Sequence, residues 1–253
     1  MADYKVVDAE QLESDLTVVA DAIREKSGKS EALAFPNGMA DAVRGIQSGG
    51  LDLCEYATTF LDAFKNTDFG GMDEIHLKIA TKLENPIFQN TSLRQIFMYT
   101  KGVKKIKLTV KESTEIIPST MNMFYSSSDL EIVDITDFKT KVNIFTQMFS
   151  LSKKLRKIIG EIDFSYATTT TGVFSSCVAL EEIRIKKESL SLSTSFGYNG
   201  ALSSESIQSI IDGLADLTGG TAQTITWHKS VYDKLTDEQK VQISNKNWVS
   251  ASA

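Results

Sequence analysis

A frame recurs through the middle of this chain: a phenylalanine, an apolar residue six positions on, another three beyond, and often a third two further. Phe174, Leu180, Ile183 and Ile185 fill it, as do Phe124, Leu130, Val133 and Ile135, and Phe97, Val103, Ile106 and Leu108. Phe149, Leu155 and Ile158 fill it with Gly160 in the last place. The leading phenylalanines are 27, 25 and 25 residues apart. Met72, Ile75 and Leu77 read as a degenerate first copy without a leading phenylalanine, and the segment 88–96 offers a shorter, competing frame. A coil of about 25 residues has one short strand's worth of inward side chains and cannot bury them alone; stacked coils can. Alternation with a period of two and β-branched residues favour strand over helix for these strings.

The flanks have a different character. Leu12, Leu16, Val19 and Ile23 recur at helical spacing over residues 10–26, and Ser27-Gly28-Lys29-Ser30 stops that helix. Phe35-Pro36-Asn37-Gly38 makes a turn, and Met39, Ala42, Val43 and Ile46 predict a second short helix. Residues 1–46 are therefore expected to form a helical docking module, with Leu12, Leu16, Val19, Ile23, Phe35, Met39 and Val43 as its candidate contacts. The repeat region is expected over 51–200 and an α/β cap over 201–253. In the cap, Ser203 is a candidate N-cap for a helix through Ile207, Ile210, Ile211 and Leu214 that ends at Gly219-Gly220. Gln223–Trp227 alternates like a strand, and Thr236 caps a last helix over 237–244.

Charge and composition narrow the function. Lys and Arg number 27 against 33 Asp and Glu, a net charge of -6 with no basic block, so no nucleic-acid partner is expected. No apolar run reaches the roughly 18 residues of a membrane helix, so no membrane insertion is expected. Neither a signal peptide nor an anchor is read at the ends, which predicts synthesis in a cytoplasm without signal-directed export. Cys54 and Cys177 are too isolated for a disulfide framework or a CxxC site.

Catalytic and metal chemistry finds no footing. His76 and His228 have no cysteine or glutamate at ligand spacing, and no Gly-x-Ser-x-Gly elbow occurs. Gly28-Lys29-Ser30 lacks the earlier glycine and the preceding strand of a phosphate loop, since Ile23 stands where the glycine belongs. The Thr168–Thr171 run reads as a solvated turn. The expectation is a protein that is not an enzyme and holds no cofactor and no metal.

What remains is surface. Between the buried positions of each strand, Lys105, Lys107, Ile132, Asp134, Lys157, Ile159, Glu182 and Arg184 face outward and form the candidate binding face. Ile132 and Ile159 are apolar where water is expected, which points to a face covered by a partner or another subunit.

Two resemblances add to this reading. Val133-Asp134-Ile135-Thr136-Asp137-Phe138-Lys139-Thr140-Lys141-Val142, followed by Met148-Phe149 and Leu155 to Ile158, resembles the 25-residue repeat of the BspA-like leucine-rich-repeat family. Phe174, Cys177, Leu180 and Ile183 are similar to that family's Phe-x-x-Cys-x-x-Leu-x-x-Ile step, which implies a core role for Cys177; Tyr99 or Ser127 takes its place in earlier copies. The match covers residues 65–195. The segment from Leu16 through Phe35-Pro36-Asn37-Gly38 to Ile46 resembles a short N-terminal module of phage and prophage tail and structural proteins of Gram-positive bacteria, and Leu235–Lys240 with Asn247-Trp248 resembles a closing segment in the same phages.

The resemblances imply an α+β fold: a leucine-rich-repeat-like solenoid of short strands and turns, with an N-terminal two-helix module and a C-terminal helical cap. They imply a bacteriophage virion structural protein, a tail or baseplate appendage that binds the host cell surface through the solenoid face. Its expected partners are other virion proteins, a host surface protein or glycan, and further copies of itself as a homo-oligomer, with the virion as its location. The alternatives are a BspA-like adhesin and an intracellular phage-encoded interaction module that blocks host defence.

Overall fold

The structure is a computed structural model and describes residues 51–52, 62–79, 92–110 and 116–253. The expected two-helix module, with Leu12, Leu16, Val19, Ile23, Phe35, Met39 and Val43, lies outside the described residues.

The phenylalanines form one continuous column. Phe64, Phe97, Phe124, Phe149, Phe174 and Phe196 stack at centroid distances of 5.4, 5.5, 5.4, 5.7 and 5.1 Å, and Trp227 follows Phe196 at 5.9 Å. Each ring sits in a tight turn whose backbone bonds to the next coil: Phe97, Phe124 and Phe149 donate to the carbonyls of Met123, Met148 and Val173. Two residues per turn, two before and two after the phenylalanine, take left-handed backbone. They are Asp62 and Asn66, Gln95 and Tyr99, Asn122 and Ser126, Gln147 and Leu151, and Gly172 and Ser176. Such a conformation costs a non-glycine residue about 1–2 kcal/mol. Here it aims N–H groups along the stack: Gln95, Asn122 and Gln147 donate to Met121, Thr146 and Thr171, and Tyr99, Ser126 and Leu151 to Tyr125, Ser150 and Ser175.

Nine residues after Phe97, Phe124, Phe149 and Phe174 stand Ile106, Val133, Ile158 and Ile183, each buried on a strand. β1 (Leu51–Asp52), β2 (Asp68–Ile79), β3 (Lys101–Val110), β5 (Ile132–Phe138), β7 (Lys157–Ile162) and β8 (Glu182–Ile185) form a six-stranded sheet in the order β1-β2-β3-β5-β7-β8. Every pairing is parallel, and Ile75, Ile106, Val133 and Ile158 stand in register across it. Between them, β4 (Ile116–Ile117) and β6 (Lys141–Val142) pair in parallel on another side of the coils. The alternate residues Val103, Ile106, Leu108, Leu130, Val133, Leu155, Ile158, Leu180 and Ile183 are buried with the phenylalanine column in one core.

The first described coil departs from this spacing. From Phe64 to Ile75 is 11 residues, two more than elsewhere, and the register shifts between Asp68 and Met72. The excess is taken up at Gly70 and Gly71, both at positive φ (66° and 88°). This insertion hides Phe64 from a reading by fixed offsets.

Past β8 the strand position is taken over by helix. β9 (Thr194–Phe196), β10 (Gln223–Trp227) and β11 (Trp248–Ser252) form a parallel sheet in the order β11-β10-β9, continuing the phenylalanine side. α1 (Ser204–Gly213), α2 (Lys229–Tyr232) and α3 (Asp237–Asn245) lie between them. Ser203 caps α1 by accepting from Ser206 N, and Thr236 with Gln239 makes a capping box on α3. α1 ends at Gly213, short of the expected stop at Gly219-Gly220, because Leu214 turns extended and pairs with Leu190. Lys246 covers the freed end, donating to the carbonyls of Ile211, Asp212 and Leu214.

The α+β, leucine-rich-repeat-like class is corrected by these pairings. Helix makes up 13% and strand 34% of the described residues, the strands pair in parallel, and the fold is mainly a sheet-rich α/β one. The physical reason is the coil: a chain that returns to the same edge after each turn lays successive strands in one direction. No helix among the described residues is long and apolar enough to cross a membrane.

Candidate binding face

The core-facing residues leave the alternate side chains of the six-stranded sheet on its outer face, where register aligns them into rows. Glu74, Lys105, Ile132, Lys157 and Glu182 stand side by side across β2, β3, β5, β7 and β8. His76, Lys107, Asp134 and Ile159 form a second row. All eight expected residues therefore lie on one face, seven of them in these two rows. Arg184 stands opposite Glu161, because Gly160 introduces a register shift between β7 and β8.

The rows are knitted by charge. Lys105 lies 3.1 Å from Glu74 and 4.0 Å from Asp134, Lys107 lies 2.8 Å from Asp137, and Lys157 pairs with Glu182. The Lys107 bond holds the Asp137 carboxyl below its usual range and raises the lysine's own pKa. Exposed pairs of this kind contribute little to stability, but they restrict where the side chains point. Arg184 has no ion pair among the described residues. His76 bonds Thr109 Oγ1 through Nε2 at 2.8 Å, and burial with Lys107 and Lys78 nearby pushes its pKa down.

Ile132 and Ile159 are half-buried, not open. Ile132 stands in register between Lys105 and Lys157, whose side chains are only 27% and 33% exposed. Lysine stems shelter apolar surface in this way, so Ile132 needs no second chain to account for its partial cover.

At the end of the rows, where α1 replaces a strand, a groove of about 630 Å³ opens. Lys157, Ile159, Glu182 and Arg184 form one side, and Ser203 and Glu205 at the start of α1 form the other. Glu74 and His76 join these rows from the degenerate first copy, Met72, Ile75 and Leu77, whose leading phenylalanine the insertion after Phe64 displaces from the frame. The sequence reading missed Ser203 and Glu205 because a helix there has no repeat signature.

Cys177 belongs to the interior. Its Sγ lies 2.9 Å from the Phe149 carbonyl, and burial pushes its thiol up to about 12. No three His, Cys, Asp or Glu side chains among the described residues are grouped to hold a metal ion. No family model, curated protein or solved structure matches this chain.

Proposed function

We propose that this chain is a bacteriophage virion structural protein, a tail or baseplate appendage, that touches the host cell surface with the outer face of its six-stranded sheet. The observation that carries the reading is the pair of rows running across that face, with their lysines held by carboxylate neighbours and a groove at one end. A binding face built on parallel strands is fixed in outline before a partner arrives, so little ordering entropy is lost on contact. The mixed charges favour a polar partner, a surface protein or glycan. The likeness of the termini to phage tail proteins supplies the setting, with residues 1–46 proposed to dock on other virion proteins.

Mass spectrometry and immunogold labelling of purified particles test the role. The chain should be found at the tail or baseplate, and deleting residues 1–46 should remove it from particles. Particles free of the full-length chain would contradict the reading.

A further inference from the structure

The two sheets end differently. At β8, the last strand of the six-stranded sheet, α1 stands against the open edge: Ser206 Oγ accepts from Ile183 N at 3.0 Å and Ser209 Oγ from Ile185 N at 3.1 Å, while Ser203 N donates to Glu181 O. The edge is closed to any further strand. At β11 no such cover exists among the described residues. Ala253 N donates to Trp227 O, so by alternation Val249 and Ala251 bond β10, and Trp248, Ser250 and Ser252 turn their N–H and C=O groups away from the sheet.

The chemistry of this edge suits one partner. An interface between identical strands related by a twofold axis brings side chains close to their own copies, so a charge there repels itself. Residues 247–253 carry no charged side chain and no proline, a property β11 shares with β9 and β10 of its sheet, whereas β2, β3, β5, β7 and β8 all carry charges. A second observation falls on the same strand: Ser250 Oγ is buried and has no hydrogen-bond partner among the described residues. Antiparallel pairing centred on Ser250 sets the two copies of this residue opposite each other across the axis. It uses every outward backbone group of Trp248, Ser250 and Ser252, about six hydrogen bonds. It also lays Val249, 52% exposed, opposite Ala251 of the other copy.

We propose that β11 is a homodimer edge, pairing antiparallel with β11 of a second copy of this chain to make one continuous sheet through both molecules. The inference rests on the fold and not on the virion role.

The test is the mass of the full chain in solution by light scattering and sedimentation over a range of concentrations. The expected result is a concentration-dependent dimer, twice the 27.9 kDa of one chain. Val249→Lys should weaken self-association about tenfold by setting like charges diagonally across the axis, and mixing it with Val249→Glu should restore the dimer. Ser250→Pro removes an N–H that points away from β10, so it should abolish the dimer while leaving the far-ultraviolet circular dichroism unchanged. A wild-type chain that stays monomeric at every concentration, a trimer, or a dimer whose affinity Val249→Lys leaves unchanged overturns the proposal.

Discussion

One position decides how the turns are joined. Three residues after the ladder phenylalanine, each coil places a side chain that donates to the carbonyl of the preceding ladder phenylalanine: Ser127 to Phe97, Ser152 to Phe124, Cys177 to Phe149 and Asn199 to Phe174. The common property is a buried donor, not sulfur, so the equivalent of Cys177 in the first complete copy is Thr100 and not Tyr99. Tyr99 sits at the left-handed position beside it, half open to water. Cys177→Ser should therefore change stability by under about 1 kcal/mol, while Cys177→Val, which keeps the volume and removes the donor, should cost about 1–3 kcal/mol in urea unfolding. The thiol also sets a pH dependence. Its folded pKa of about 12 stands above the ordinary 9.0. The associated stability is thus complete below pH 9 and falls as the pH rises towards 12, by about 1.4 kcal/mol per pH unit. The difference between wild type and Cys177→Ser, measured from pH 8 to 11, should show this slope; parallel profiles would refute the buried, protonated thiol.

At the scale of elements, α1 acts both as a helix and as the end of a sheet. Ser206→Ala or Ser209→Ala should leave the N–H of Ile183 or Ile185 without a partner and cost about 1–3 kcal/mol each, with faster amide exchange at that residue. Ser204→Ala, on the exposed side of the same turn, is the control and should fall within about 0.5 kcal/mol. The bulges differ in a similar way. Gly71 at φ 88° has open space around a would-be Cβ, whereas at Gly160, φ 96°, a Cβ would lie 2.8 Å from Thr136 N. Gly71→Ala should cost about 1–2 kcal/mol from backbone strain alone, and Gly160→Ala clearly more in the same thermal assay. The spacing of Phe97, Phe124, Phe149 and Phe174 is legible in the sequence because identical rings recur at near-constant intervals. Phe64 is not, because Gly70 and Gly71 lengthen its coil. Nor is the role of α1 as an edge cover, because nothing in Ser203–Ser209 announces that its hydroxyls accept from β8.

For the whole molecule, the repeat makes the outer face a sum of small, aligned contributions. Lys105, Lys107, Ile132, Asp134, Lys157, Ile159, Glu182 and Arg184 could be gathered from sequence because a period-2 string fixes which side chains share a side. The charge pairs, the lysine cover over Ile132 and the groove beside α1 could not, since they depend on register between strands about 25 residues apart and on a helix outside the repeat. The direction of pairing was equally hidden: apolar strings do not state whether neighbouring strands run alike, and closure of the coil settles that question. The central claim, that this face carries the contact with the host, is tested most directly by the adsorption of labelled chain to Gram-positive host cells. Wild type is compared with the Ile132→Asp, Ile159→Asp double variant, whose changes lie on the outer face and spare the buried column. The account predicts saturable binding by the wild type and a loss of about tenfold or more in the variant, with unfolding temperatures within a few degrees of each other. Equal binding by the two would contradict it.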